Sequence, residues 1–147
     1  MVVNRSAPPG PVVPCLVYAD VREAILWLCD VFGFEQHHRW ESGDGVVQGA
    51  QVLVGEGSVF LRQQRGGEVP PRPGEPRSHS VMVACADADA QYERIVSKGV
   101  TVVSEPATYP FGERQFSAED LAGHHWTFSQ SVADVAAEEW GGISEPL

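Results

Sequence analysis

Five histidines, three cysteines and 20 acidic residues stand in the 147-residue chain, so the first question is whether any of them form a catalytic or metal-binding set. Metal binding needs His, Cys, Asp or Glu converging on one point, and nucleophilic chemistry needs a base beside the nucleophile. The histidines occur as His37-His38, His79 and His124-His125. Neighbouring residues on a strand point to opposite faces, so one member of each pair is expected to face away from a shared site. Cys15, Cys29 and Cys85 are too few and too scattered for a disulfide framework or a zinc knuckle. They are expected as small buried hydrophobes in a reducing cytosol. The sequence has no nucleophile elbow and no H-E-x-x-H, and Gly66-Gly67 lies in Pro-rich surroundings unsuited to a phosphate-cradling loop.

Composition narrows the field further. The 43% hydrophobic content supports an ordinary core, and ten cations against 20 carboxylates leave a net charge of −10. That balance argues against nucleic acid, whose phosphates require clustered cations, and against an anionic membrane surface. No apolar run approaches the roughly 20 residues of a membrane helix. Prolines stand where a signal peptide would have its hydrophobic stretch, so the expectation is a soluble cytoplasmic protein.

Any site must be positioned by a small α+β fold. Residues 1–11 read as a flexible Pro-rich arm. The stretch 12–18 reads as a strand, and Asp20 with Glu23 resembles a helix-capping box. Val21, Ala24, Ile25, Leu28 and Phe32 form one helical stripe that Gly33 ends. Strands are predicted at 34–41, 46–54 and 58–63, and 64–78 reads as a Gly/Pro-rich linker. The pattern then restarts. A strand at 79–86 precedes a helix opened by Asp87 and Asp89, with Ala88, Tyr92, Ile95 and Val96 on one face and Gly99 as its stop. Strands follow at 100–105, 113–119 and 124–130, then a tail over 131–147. The order β-α-β-β-β thus occurs twice, over 12–63 and 79–130, with a repeat of about 67 residues. Two such modules are expected to form cupped mixed sheets around a shared cleft.

The stretch Tyr109-Pro-Phe-Gly-Glu-Arg114, followed by Glu119-Asp120-Leu-Ala-Gly-His124-His125-Trp126-Thr127-Phe128, resembles the ending of the vicinal oxygen chelate superfamily, which includes glyoxalase I, bleomycin-resistance proteins, fosfomycin-resistance enzymes and extradiol dioxygenases. Leu28-Cys-Asp-Val-Phe-Gly-Phe34 resembles the end of that superfamily's first helix. Leu121 replaces the usual turn proline. The resemblance covers about residues 12–130. It implies four inward-facing metal ligands in the metal-dependent members, at positions that here hold Val13, Ser80, Thr127 and either Leu61 or Arg62. None is a carboxylate or a histidine, and His79 beside Ser80 would need a bulge to substitute. The expectation is therefore a small-molecule binding protein without a cofactor, the alternative being an enzyme of the superfamily with a divalent metal at an atypical site.

Strand parity nominates the ligand-contacting residues. Trp126 and Phe128 share the core face of the last strand, which leaves His125, Thr127 and Ser129 for the cleft. Phe60 and Arg62 go together, and an arginine is ill suited to lie under a helix. Trp40 is nominated as a wall, and Tyr109, Phe111 and Arg114 as a lip. Cys15, Val17, Met82 and Ala84 would make an apolar floor. Aromatic walls with a few polar groups suit a small-molecule site. A homodimer is expected, because each half-sheet needs a partner for its edge or face.

Overall fold

The computed structural model describes residues 2–146, which form two compact units: residues up to 79 with 119–124, and 80–118 with 125 onward. Each holds one four-stranded mixed sheet. In the first the elements are β1 (Cys15–Tyr18), α1 (Val21–Trp27), β2 (Glu35–Glu41), β3 (Val47–Val54) and β4 (Gly57–Gln63). The sheet order is β1-β4-β3-β2, with β1 parallel to β4 and the other pairs antiparallel. The second unit has β5 (Val81–Ala84), α2 (Ala88–Ser97), β6 (Val102–Thr108), β7 (Glu113–Glu119) and β8 (His125–Ser131), in the order β5-β8-β7-β6. Among the described residues no helix is long and apolar enough to cross a membrane.

The two helices start in the same way. The Asp20 side chain accepts from Glu23 N, and Asp87 accepts from Ala90 N, each satisfying a first-turn donor that has no partner within the helix. A glutamine one repeat apart finishes each start: Gln63 Oε1 accepts from Val21 N, and Gln130 Oε1 from Ala88 N. In the first unit Val21, Ala24, Ile25 and Leu28 are buried together with Leu16, Ala50, Val52, Val59 and Leu61 from the strands. In the second, Ala88 and Ile95 are buried with Phe116, Trp126 and Phe128, the two phenylalanine rings stacking 5.1 Å apart.

Several expectations need correction. Strands β1 and β5 are shorter than 12–18 and 79–86, and β6 runs to Thr108 through Pro106, a residue tolerated on an edge strand. Val96 is 44% exposed rather than part of the buried stripe. The last turn before Gly33 is π-helical, Leu28–Phe32, and Gly33 ends it at φ 77°. The 64–78 segment is tied down: Gly74 N donates to Glu119, and Arg77 Nε donates to Gly123 O. That attachment explains why the β7–β8 turn, placed by sequence in the second module, packs with the first unit. A Cβ on Gly123, at φ 91°, would come within 2.5 Å of the Arg72 backbone. The tail carries a 3-10 helix at Ala137–Trp140.

Candidate functional site

The face of the first sheet opposite α1 is built by register. Val17, Arg62, Gly49 and Trp40 lie in one row across β1, β4, β3 and β2, and Cys15, Phe60, Gln51 and His38 lie in the next. The buried neighbours Leu16, Leu61 and Ala50 alternate with these residues and point toward the helix. Trp40 and Phe60 meet with ring centroids 5.2 Å apart, tilted by 42°. Glycine is required beneath the indole: a Cβ on Gly49 would sit 2.2 Å from Trp40 Cζ2. Trp40 is thus pinned to the strand at its base while 43% of it remains exposed, which makes an open aromatic platform.

Arg62 is on this face but is not a free donor. Its two terminal nitrogens hold the Glu68 carboxylate at 2.8 and 2.6 Å, and Glu68 also accepts from Arg65 N. The guanidinium, followed by that backbone amide, lowers the Glu68 pKa to about 2. The signal for Glu68 in the sequence is weak: it is one of two glutamates in a Gly/Pro-rich stretch.

His37 and His38 break the alternation rule. A register shift between Gln36 and His38 inserts one extra residue in β2. The two ring centroids lie 3.8 Å apart with the planes tilted by 32°, and His37 Nδ1 is 3.3 Å from Gln51 Oε1. The sequence offered no turn residue or glycine to mark this bulge.

In the second sheet, Met82 and Thr127 are registered neighbours, as are Ala84 and Ser129, on the face away from buried Trp126 and Phe128. Thr127 and Ser117 hydroxyls lie 3.1 Å apart, and Gln115 Nε2 donates to Ser129 Oγ. A hollow of about 480 Å³ lies here, between Met82, Ala84, Cys85, Glu113 and Ser129. His125 is half-buried at the start of β8. Arg114 belongs elsewhere: it pairs with Asp89 of α2 through two bonds of 2.8 and 2.7 Å, on the helix side. The parity that puts Phe116 in the core puts Arg114 there too, so it is not part of a lip on the open face. Tyr109 and Phe111 stack at 5.3 Å, and Phe111 meets Trp140 edge-on at a hollow of about 600 Å³ bounded by the tail.

Among the described residues no three His, Cys, Asp or Glu side chains gather as a metal site. Leu61 is in the core, Arg62 is paired with Glu68, Thr127 bonds Ser117, and Ser80 precedes β5. These residues do not fit a divalent ion, and no step is assigned to one. Burial pushes the Cys29 and Cys85 thiols up, away from a reactive thiolate.

His124, the member of its pair that strand parity turns away from the cleft, is structural. It is 6% exposed, lies edge-on to Tyr18 at 4.8 Å, and has Nε2 2.8 Å from Val17 O. Tyr18 Oη donates to Asp120 Oδ2 at 2.6 Å, while Asp120 Oδ1 accepts from Ala122 N and His124 N. This buried trio holds the β7–β8 turn on β1.

Two sheets of this order, each with its helix on one face, define the glyoxalase-type architecture. A profile of the Glyoxalase/Bleomycin resistance protein/Dioxygenase superfamily matches residues 10–128, and the chain belongs to that superfamily. The crystal structure of TioX from Micromonospora sp. ML1 is similar, with 28% identity and a TM-score of 0.68 over 86% of this chain and all of that one. The fold is also that of FosX, a fosfomycin resistance protein of Listeria monocytogenes whose crystal structure holds Mn(II) and sulfate, with 15% identity and a TM-score of 0.61 over 88% and 95% of the two chains. An uncharacterised protein of Mycobacterium bovis is 28% identical over 131 residues, 86% of either chain.

Proposed function

We propose that this protein binds a small molecule, a natural product or drug, and sequesters it without a metal, as a homodimer. The observation that carries the reading is the Trp40–Phe60 platform on the open face of the first sheet, built on a glycine that admits the indole. An exposed, immobilised aromatic pair offers stacking area at little entropic cost. The polar groups beside it, Gln51 and the Arg62–Glu68 pair, suit orientation of a ligand rather than bond breaking. Thr127 and His125 on the second sheet, with the hollow beside Met82, form a separate candidate surface of that unit. Membership of a superfamily that includes bleomycin-resistance proteins supports the same reading.

The test is a thermal-shift screen of a natural-product library against protein kept in EDTA, with hits measured by calorimetry. Phe60→Ala is expected to weaken a hit about 2- to 12-fold, the equivalent of a lost aromatic pair of ~0.5–1.5 kcal/mol. Hits that bind only after Zn, Ni, Mn or Fe is added would overturn the metal-independent reading. A library without hits would overturn sequestration.

A further inference from the structure

The Pro-rich N-terminal segment, expected as a free arm, is gripped by three strands. Gln51 Nε2 of β3 donates to Ser6 O at 2.7 Å, and Ser58 Oγ of β4 donates to Pro9 O at 2.7 Å. His38 Nε2 of β2 lies 3.4 Å from Arg5 O. All three side chains belong to the face that carries the aromatic platform. Ser58 stands two residues from Phe60 along β4 and so shares its face, and Gln51 is the registered neighbour of both Phe60 and His38. The arm therefore crosses one end of this face, with Trp40 and Gly49 toward the other. Gln51 and Ser58 are buried, only 6% and 5% exposed, with arm carbonyls as partners.

The manner of attachment is that of a removable cover. Pro8, Pro9 and Pro11 have no N–H to add to a sheet edge. The arm's own backbone bond, Ala7 N to Asn4 O, is internal to it. Its grip on the sheet runs through neutral side-chain bonds, each of modest net strength in water. A segment held in this way opens locally far more often than the strands beneath it.

We propose that residues 4–10 form a strap that fills the polar end of the site in the free protein and is displaced when a ligand takes over Gln51, Ser58 and His38. The proposal rests on the open face being the ligand site. It also sets a chemical requirement: the displacing molecule must present acceptor oxygens to donors that now hold peptide carbonyls, beside an aromatic group for Trp40 and Phe60.

Limited trypsin digestion of the full chain tests it, because Arg5 lies within the strap and the next basic residue is Arg22. Cleavage after Arg5 is compared by mass spectrometry with cleavage after Arg65, which lies outside the strap. The Gln51→Ala, Ser58→Ala double variant should raise cleavage after Arg5 about 10- to 30-fold, with cleavage after Arg65 unchanged. Ser58→Ala alone, which only removes a hydroxyl, should raise it about fivefold and gives a reading even if the double variant is partly unfolded. Hit compounds from the EDTA screen should also speed cleavage after Arg5 in the wild type. Equal cleavage after Arg5 in the wild type and Ser58→Ala would overturn the strap. So would hits that bind without changing that cleavage. A library without hits overturns the binding function instead, and the variant digests still decide whether the strap exists.

Discussion

Replacing Gly49 by alanine is the sharpest probe of the platform. The added Cβ would lie 2.2, 2.4 and 2.8 Å from three indole atoms of Trp40, where ordinary contact begins near 3.4 Å. β3 is held on both sides by strand pairing, so the half-exposed indole is the part that moves. A little over half of Trp40 is covered, roughly 100 Å² of a side chain able to bury about 150–250 Å². At ~25 cal/mol per Å², losing that cover costs about 2.5 kcal/mol. Part is retained if the ring stays against Phe60, and the stiffer unfolded chain of alanine offsets about 0.4–1 kcal/mol. The expected net loss is roughly 1–2 kcal/mol, a Tm lower by about 3–8 °C. Affinity for a screened hit should fall about 2- to 12-fold along with the lost stacking. Tryptophan emission, with Trp40→Phe as the subtraction reference, should shift to the red. Gly43→Ala is the control, since a Cβ there meets nothing within 4 Å. Gly49→Ala with unchanged emission, Tm and hit affinity would refute the assignment of Trp40 as a pinned platform.

The remaining expectations concern the groups around the site. Tyr18→Phe removes a buried hydrogen bond to a carboxylate and should cost about 1.5–3 kcal/mol in denaturant melts. Burial, then Asp120, raises the Tyr18 pKa, so its stabilisation is complete below the ordinary value of 10 and is lost as pH climbs past it. Ultraviolet titration should therefore show one phenol that ionises only as the protein unfolds. Glu68 titrates in the opposite sense: its pKa is depressed to about 2, so the Arg62 pair is complete above 4.5 and lost only as pH falls toward 2. Carboxyl NMR showing Glu68 titrating near 4.5 would mean that the pair is open in solution. Sedimentation at micromolar concentration should give a species of twice 15.9 kDa, and a lone monomer would remove the dimer.

Local sequence carried the elements, because caps, stripes and alternation act over a few residues. Asp20 and Asp87, one repeat apart, announce both helices, and Trp126 with Phe128 mark a buried strand face before any packing is known. Parity also put Phe60 and Arg62 on one face of the sheet, since side-chain direction along a regular strand follows the pleat, whereas the side taken by Trp40 on β2 was left open. It failed at His37-His38, where one inserted residue in β2 turned neighbouring rings to the same side. Partner choice was illegible throughout. Arg62 is taken by Glu68 and Arg114 by Asp89, although sequence alone offers many carboxylates to each. Tyr18 meets Asp120 across 102 residues, and a Pro-rich arm is held on the sheet by Gln51 and Ser58. Such contacts join groups far apart in the chain, and their energies depend on distance and burial. Only the folded backbone sets those quantities.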